Sequence, residues 1–474
     1  MSTARALLLA GASLLPPGGP PAGAPAPATD LYLEETRGRW EEAARKIWGF
    51  HELALEERQS SALFADLLQK EGFAVQRGVA GMPTAFVARA GAGKPVVAFL
   101  AEYDALPELS QVGGGTKKQP LQAGAPGHGC AHNLLGTAAV SAAVGANRVR
   151  VADRLPGTLV VFGTPAEEKI LGKTFMARDG VFQGVDAVLA WHPGGENQIV
   201  NRARLAISAL DIEFFGKTAH AAANPWLGRS SLDAVELLDH AVALMREHVR
   251  PTARMHRVVK SGGSVPNIIA DYAKVQWWVR DASGASVDDL VARVRLAAQG
   301  AATATETRVQ VTVLAQTRDP IPNDALGAVV QRELERVGAP RWDDGDQTQA
   351  RAIQRELGIE VSGLSTTVVP YGPGHGHTAS SDIGETSAVA PLVEFEVATA
   401  PAGSPFHHWA VTSCAVHPIG FKGMSVASKV LAASAVDLLR DPAAIRAAQE
   451  EFAKATGGQD YKSPLAPDAR PAVY

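Results

Sequence analysis

The chain has 474 residues, 46% of them hydrophobic and 20% charged, enough to bury the cores of two or three domains. Its 45 Lys and Arg against 49 Asp and Glu leave a formal net charge of -4, which offers no basic footprint for nucleic acid. The only cysteines are Cys130 and Cys414, so a disulfide-built scaffold is excluded.

Residues 1–28 differ in composition from the rest of the chain. Arg5 precedes an apolar run from Ala6 to Leu15, and a Pro/Gly/Ala stretch then ends in Ala26-Pro27-Ala28 before Thr29. This reads as a secretory signal with an Ala-x-Ala cleavage site, which makes the mature chain periplasmic or secreted. As a disordered low-complexity tail it would leave the protein cytoplasmic. No later stretch has the ~18 uninterrupted apolar residues of a membrane span, so no membrane partner is expected.

Apolar positions recur at helical spacing from Glu34 to Phe50 and from Ser60 to Lys70, joined by the charged run Glu52, Glu56, Glu57, Arg58. His51 and Glu52 are expected to face solvent or cap a helix. Thr84 to Arg89 and Val96 to Leu100 read as strands, the second running into Ala101-Glu102-Tyr103-Asp104-Ala105-Leu106-Pro107. Gly127 to Asn133, Gly-His-Gly-Cys-Ala-His-Asn, puts a thiol and two imidazoles on a backbone with little side-chain bulk. Cys130 and His132, two apart, turn to the same side of an extended or looped segment, where they suit zinc, manganese or a similar ion. The same loop serves equally as a tight turn opening the apolar helix from Leu134 to Val144.

The strand Thr158 to Phe162 ends in Gly163-Thr164-Pro165-Ala166-Glu167-Glu168, and the strand Ala187 to Ala190 ends in Trp191-His192-Pro193. Three apolar strands that finish in ionisable residues, with helices between them, describe a mostly parallel α/β sheet gathering a site at the carboxyl ends of its strands. Consecutive acids point opposite ways on an extended backbone, so one can ligate a metal while its neighbour faces the substrate water.

From about Arg204 the order is β-α-β-β-α-β: Leu205 to Phe215, Ser230 to Val249, the β-rich Val265 to Arg280, Val287 to Thr303 and Arg308 to Leu314. That predicts an inserted ferredoxin-like domain over 204–318, with Asp319-Pro320-Ile321-Pro322 leading back to the first. The catalytic domain is then 29–203 plus 319–474, ending in a long helix from Met424 to Leu439 and a disordered tail from Pro464. Trp191, Trp226, Trp277, Trp278 and Trp409 lie near these motifs and hint at a bulky substrate, though at least half are expected in cores.

Eight motifs in order carry a resemblance. They are Ala98 to Pro107, Gly127 to Asn133, Gly163 to Glu168, Ala190 to Pro193, Gly-Lys-Thr-Ala-His-Ala (216–221), Val-Pro-Asn (265–267), Ser-Ser-Asp-Ile-Gly (380–384) and Pro-Phe-His-His-Trp (405–409). From Thr29 to Leu439 the chain resembles the dinuclear zinc or manganese metallopeptidases and amidohydrolases that include carboxypeptidase G, the aminoacylases and the p-aminobenzoyl-glutamate hydrolase branch. The resemblance implies hydrolysis of the amide bond of small N-acyl amino acids by a homodimer that uses two divalent ions. It implies that Cys130 bridges the ions, that Glu168 and His407 complete one site and His132 and His192 the other, and that Glu167 is the general base. It further implies that Asp104 orients His132, that His220 binds the reacting carbonyl from the partner's inserted domain, and that Asn267 and Arg280 bind the substrate carboxylate. The sequence departs from the family at Ala131, where glycine is usual, at Glu385, where aspartate is expected, and at Glu102, which occupies the position of a ligand His. The adjacent His408 competes with His407 for the last ligand position. The residues also admit two rival readings: a cysteine-nucleophile amidase using Cys130 with His132 or His128, and a non-catalytic metal-binding scaffold.

Overall fold

The computed structural model describes residues 26–200, 204–372 and 379–472. The body of the proposed signal falls in 1–25, outside these residues. A seven-stranded sheet forms from β1 (Ala74–Arg77), β2 (Phe86–Ala92), β3 (Val96–Ala101), β4 (Gly157–Gly163), β5 (Ala187–Gly194), β6 (Gln198–Ile199) and β11 (Leu392–Ala398), in the order β1-β2-β4-β3-β5-β11-β6. The four central strands β4, β3, β5 and β11 run parallel, and β1, β2 and β6 are antiparallel additions at the edges.

The central strands are continuous apolar runs because both faces of the sheet are covered. Val97, Phe99 and Ala101 of β3 join one core with the helices His132–Ala152 and Pro418–Arg440, while Ala98 and Leu100 join a second core with the helix Gly172–Arg178. The same alternation holds along β4, with Leu159 and Val161 on one side and Val160 and Phe162 on the other. Pro418–Arg440 has the length and hydropathy of a membrane span, but it is a core helix, 78% buried over its most apolar window.

A second sheet is made of β7 (Ala206–Phe215), β8 (Arg254–Ser261), β9 (Tyr272–Asp281) and β10 (Arg308–Thr317), in the antiparallel order β10-β7-β9-β8. The helices Ser231–Met245 and Gly284–Ala304 cover one face with a separate core that includes Leu210, Phe214, Leu238, Trp277 and Leu290. This is the ferredoxin-like arrangement, and the fold class read from the sequence is the one observed.

Several local readings are corrected. Val265 to Asp271 is a loop rather than strand, so Val265-Pro266-Asn267 lies on the turn between β8 and β9. The sequence leaves open the pairing of the strands at Thr84 to Arg89 and Val96 to Leu100, and β4 lies between β2 and β3 in the sheet. A further helix, Pro442–Thr456, succeeds the long one; Asp441 starts it by accepting the Ala443 and Ala444 N–H groups. Within the stretch from Pro464 expected as a disordered tail, described residues make tertiary contacts: Leu465 is buried in the second core and the Ala469 carbonyl accepts from Arg178 at 2.5 Å; just before it, the Tyr461 hydroxyl donates to Glu385. Glu52 does act as a cap, its two oxygens accepting the Gln59 and Ser60 N–H groups at 2.9 Å each.

Candidate active site

The carboxyl ends of β3, β4 and β5 deliver Glu102 and Asp104, Glu167 and Glu168, and His192 to one place. Cys130 and His132 arrive from the loop and first residue of the helix His132–Ala152. Ala131 between them takes φ 57°, a left-handed conformation that explains why glycine suits this position. The same loop fixes the last histidine, since the Gly129 carbonyl accepts the His407 N–H at 3.0 Å. A Cβ on Gly129 would lie 2.3 Å from Leu109 Cδ1 and 3.4 Å from the His407 Cα, so glycine leaves this approach unobstructed without moving the Leu109 side chain. His407 itself has φ 56°, and this turn aims its imidazole at Glu168, Nε2 to Oε2 3.3 Å. His408 points elsewhere; its Nδ1 caps the helix Trp409–Cys414 by accepting the Ala410 N–H at 3.4 Å.

Two triads of possible ligand atoms share Cys130: one with His132 and His192, the other with Glu168 and His407. Within each, the atoms lie within 4.8 Å of one another. His132 Nδ1 bonds Asp104 Oδ1 at 2.9 Å, and His192 Nδ1 bonds the Pro193 carbonyl at 2.7 Å. Both rings thereby keep Nε2 as the ligand atom, and His192 Nε2 is 3.5 Å from the Cys130 Sγ. His132 Nε2 and Glu168 Oε1 are buried with no hydrogen-bond partner among the described residues; the nitrogen lies 4.0 Å from Glu168 Oε1 and 3.3 Å from Glu102 Oε2. Buried polar atoms left unmatched in this way are costly unless a cation completes them. The thiol, imidazole and carboxylate donors are the set that suits zinc, and the residues therefore fit a metal centre. The Cys130 sulfur and Glu168 hold the His407 imidazolium up to about 11, whereas burial first, then Arg204, pushes His192 down to about 3.

Around this cluster lies a cavity of about 560 Å³, whose lining includes the apolar Leu53, Leu106, Pro107 and Phe406 and the cationic Lys169, Arg204 and Arg280 beside Trp278. Arg280 reaches it from β9, its guanidinium bonded to Ser380 at 3.2 Å and lying over the Trp278 ring at 5.3 Å. His220 and Asn267 are exposed and do not line the cavity. They belong together, however: His220 bridges Ile268, and the Ala221 N–H donates to the Asn267 carbonyl at 3.0 Å. Of the five tryptophans singled out, Trp191, Trp277 and Trp409 are buried, Trp278 lines the cavity and Trp226 is 69% exposed.

Sequence reasoning passed over Lys173, Arg204 and Glu57. Lys173 is fully buried, its ammonium 2.7 Å from Glu102 Oε1 and 2.5 Å from Asp382, whereas Glu102 Oε2 has no hydrogen-bond partner among the described residues and lies 3.3 Å from His132 Nε2. Arg204 pairs with Glu394 at 2.7 Å behind His192. Each stands in a stretch with no periodic signal, and only burial marks them.

Residues 203–305 match the family described as the peptidase dimerisation domain. Over 94% of this chain and 98% of the relative, the sequence is 35% identical to the B-type p-aminobenzoyl-glutamate hydrolase subunit of Escherichia coli. It is 30% identical to the Xaa-Arg dipeptidase of Mus musculus over 89% of this chain and 90% of the relative. The fold matches a Bacillus subtilis dinuclear metal-binding peptidase of the M20 family, with a TM-score of 0.57 at 18% identity over 86% of this chain and 99% of that one. Fold and site together define a hydrolase of amide bonds built on the M20 plan. The chain belongs to the M20 family, in the branch of the B-type p-aminobenzoyl-glutamate hydrolase subunit.

Proposed function

We propose that this enzyme cleaves the amide bond of a small N-acyl amino acid, of the aminobenzoyl-glutamate, aminoacylase or dipeptide type, with Glu167 as general base. The observation that carries the reading is the pair of ligand triads sharing the Cys130 sulfur at the floor of the cavity. Cys130, His132 and His192 would hold one divalent ion, and Cys130, Glu168 and His407 the other, zinc or manganese in each. The ions would supply Lewis acidity that lowers the pKa of water and polarises the carbonyl. Glu167, largely buried beside these residues, takes the proton from the attacking water and returns it to the departing nitrogen. Asp104 holds the His132 ring by its Nδ1, and Arg280 offers a guanidinium fork to the carboxylate beside the scissile bond.

His220 and Asn267 sit together on the exposed face of the inserted domain, away from their own cavity. In a homodimer they reach the partner's site, where His220 stabilises the oxyanion and Asn267 helps hold the substrate. The match to a dimerisation domain supports this arrangement.

Metal analysis of three variants tests the reading. Cys130→Ala and Glu168→Ala lose bound metal. Glu167→Gln keeps it and loses ~10²-fold to 10⁴-fold in turnover. Near-normal turnover in Glu167→Gln refutes the base, and thiol alkylation that abolishes activity in a protein containing no metal favours a Cys130 nucleophile instead.

A further inference from the structure

Glu57 stands in the run Glu56-Glu57-Arg58, which reads as a solvated charge cluster at a helix start. The structure buries it completely. It occupies the residue before the helix Arg58–Lys70, where an acidic side chain ordinarily accepts from its own first turn. It makes no such bond, because Glu52 already takes the Gln59 and Ser60 N–H groups. Instead Glu57 Oε1 accepts the N–H of Ala166 at 2.8 Å, 109 positions along the chain.

Ala166 immediately precedes Glu167 and Glu168. Those two acids lie on a single helical turn bounded by Ala166 and Ile170, each at φ 57°, a conformation that non-glycine residues adopt at an energetic cost. Behind the turn Gly172 packs so close to Pro165 that a Cβ would lie 1.9 Å from its carbonyl oxygen. Asp104 Oδ2 accepts the Glu168 N–H at 2.9 Å, and Asp104 Oδ1 holds His132. Two buried carboxyl groups from different parts of the chain thus grip N–H groups of one strained turn.

We infer that Glu57 is a positioning residue for the reaction: its grip on Ala166 sets the direction in which Glu167 and Glu168 leave the turn. This rests on the roles proposed for those two glutamates. Misplacing a reacting group by about 1 Å costs ~10²-fold in rate, and a turn released at Ala166 shifts both acids together.

The test uses the metal-loaded full-length protein. Glu57→Ala is expected to keep its metal content and its KM within about twofold while kcat falls ~10²-fold, and to alter the visible spectrum of the cobalt-substituted enzyme. Glu57→Gln keeps an oxygen for the Ala166 N–H and is expected to retain both kcat and spectrum. Wild-type kcat and spectrum in Glu57→Ala overturn the inference, as does a Glu57→Gln enzyme impaired as severely as Glu57→Ala. Should Glu57→Ala not fold, Glu57→Asp, with its carboxylate withdrawn by one methylene, must lose kcat while keeping metal; full kcat there also overturns it. Glu167→Gln in the same assay separates the two readings. If it is active, the base assignment has failed, whereas an inactive Glu167→Gln beside an unimpaired Glu57→Ala sinks only the positioning role.

Discussion

Lys173→Met removes the one ammonium between two buried carboxylates and keeps the side chain's length and apolar stem. In the native protein the Lys173 side chain is fully buried, its ammonium lying 2.7 Å from Glu102 and 2.5 Å from Asp382, whose own side chains are 6% and 0% exposed. Asp382 keeps the Lys173 backbone N–H at 2.8 Å in the variant, but Asp382 and Glu102 then face each other with no ammonium between them, and Glu102 keeps only the His132 ring, 3.3 Å from its Oε2. Removing one partner from such a buried set costs about 3–5 kcal/mol. The exposed Arg440–Asp153 pair, with side chains 49% and 45% exposed, sets the comparison, since pairs of that kind contribute about 0–1 kcal/mol. The two cases differ in burial, which governs desolvation and screening, and Lys173 faces two carboxylates where Arg440 faces one. Urea titrations followed by circular dichroism on Lys173→Met and Arg440→Ala read the difference from the shift in midpoint. A neutral triple variant, Glu102→Gln, Lys173→Met and Asp382→Asn, should regain most of the loss because no charge is left uncompensated. A loss below about 1 kcal/mol in Lys173→Met, or a triple variant no better than the single one, refutes the reasoning.

Amidating the free carboxylate of a good substrate should lower kcat/KM strongly, and Arg280→Ala should erase the preference for the acid; equal cleavage of both forms would make Arg280 a structural residue held by Ser380 and Trp278. Mixing inactive His220→Ala with inactive Glu167→Gln subunits should restore activity in heterodimers if the two residues act across the interface, and no recovery in confirmed heterodimers rules out a shared site. Burial, with Asp104 second, pushes the Glu57 carboxyl from 4.5 up to about 8, so between these values the folded protein holds a proton that the unfolded chain releases. Stability from this group therefore falls as pH rises through that window, and Glu57→Gln should flatten the decline in urea midpoint; parallel profiles for the two proteins would show that Glu57 does not titrate there.

Much of this protein follows from local pattern. Continuous apolar runs at β3, β4 and β5 mark strands covered on both faces, and each ends in the ionisable residues that build the site, because a parallel sheet places those ends side by side. The β-α-β-β-α-β order of the insert likewise anticipates its four-stranded sheet, although β8 lies at Arg254–Ser261, ahead of the Val265 to Arg280 stretch that reads as both middle strands. What the chain leaves open locally is settled by long-range contact. His407 and His408 are indistinguishable as neighbours, and the backbone bond from His407 to Gly129 with a left-handed φ turns one toward Glu168 while the other caps a helix. The placement of β4 between β2 and β3 depends on pairing between segments far apart in the chain, which no turn signal encodes. Glu57, Lys173 and Arg204 look like ordinary surface charges in sequence, since periodicity reports which face an apolar side chain seeks and says nothing about a charge whose partner is far along the chain. Only folding brings Ala166, Glu102 and Glu394 to them, and once water is excluded those partners decide whether each charge can be buried.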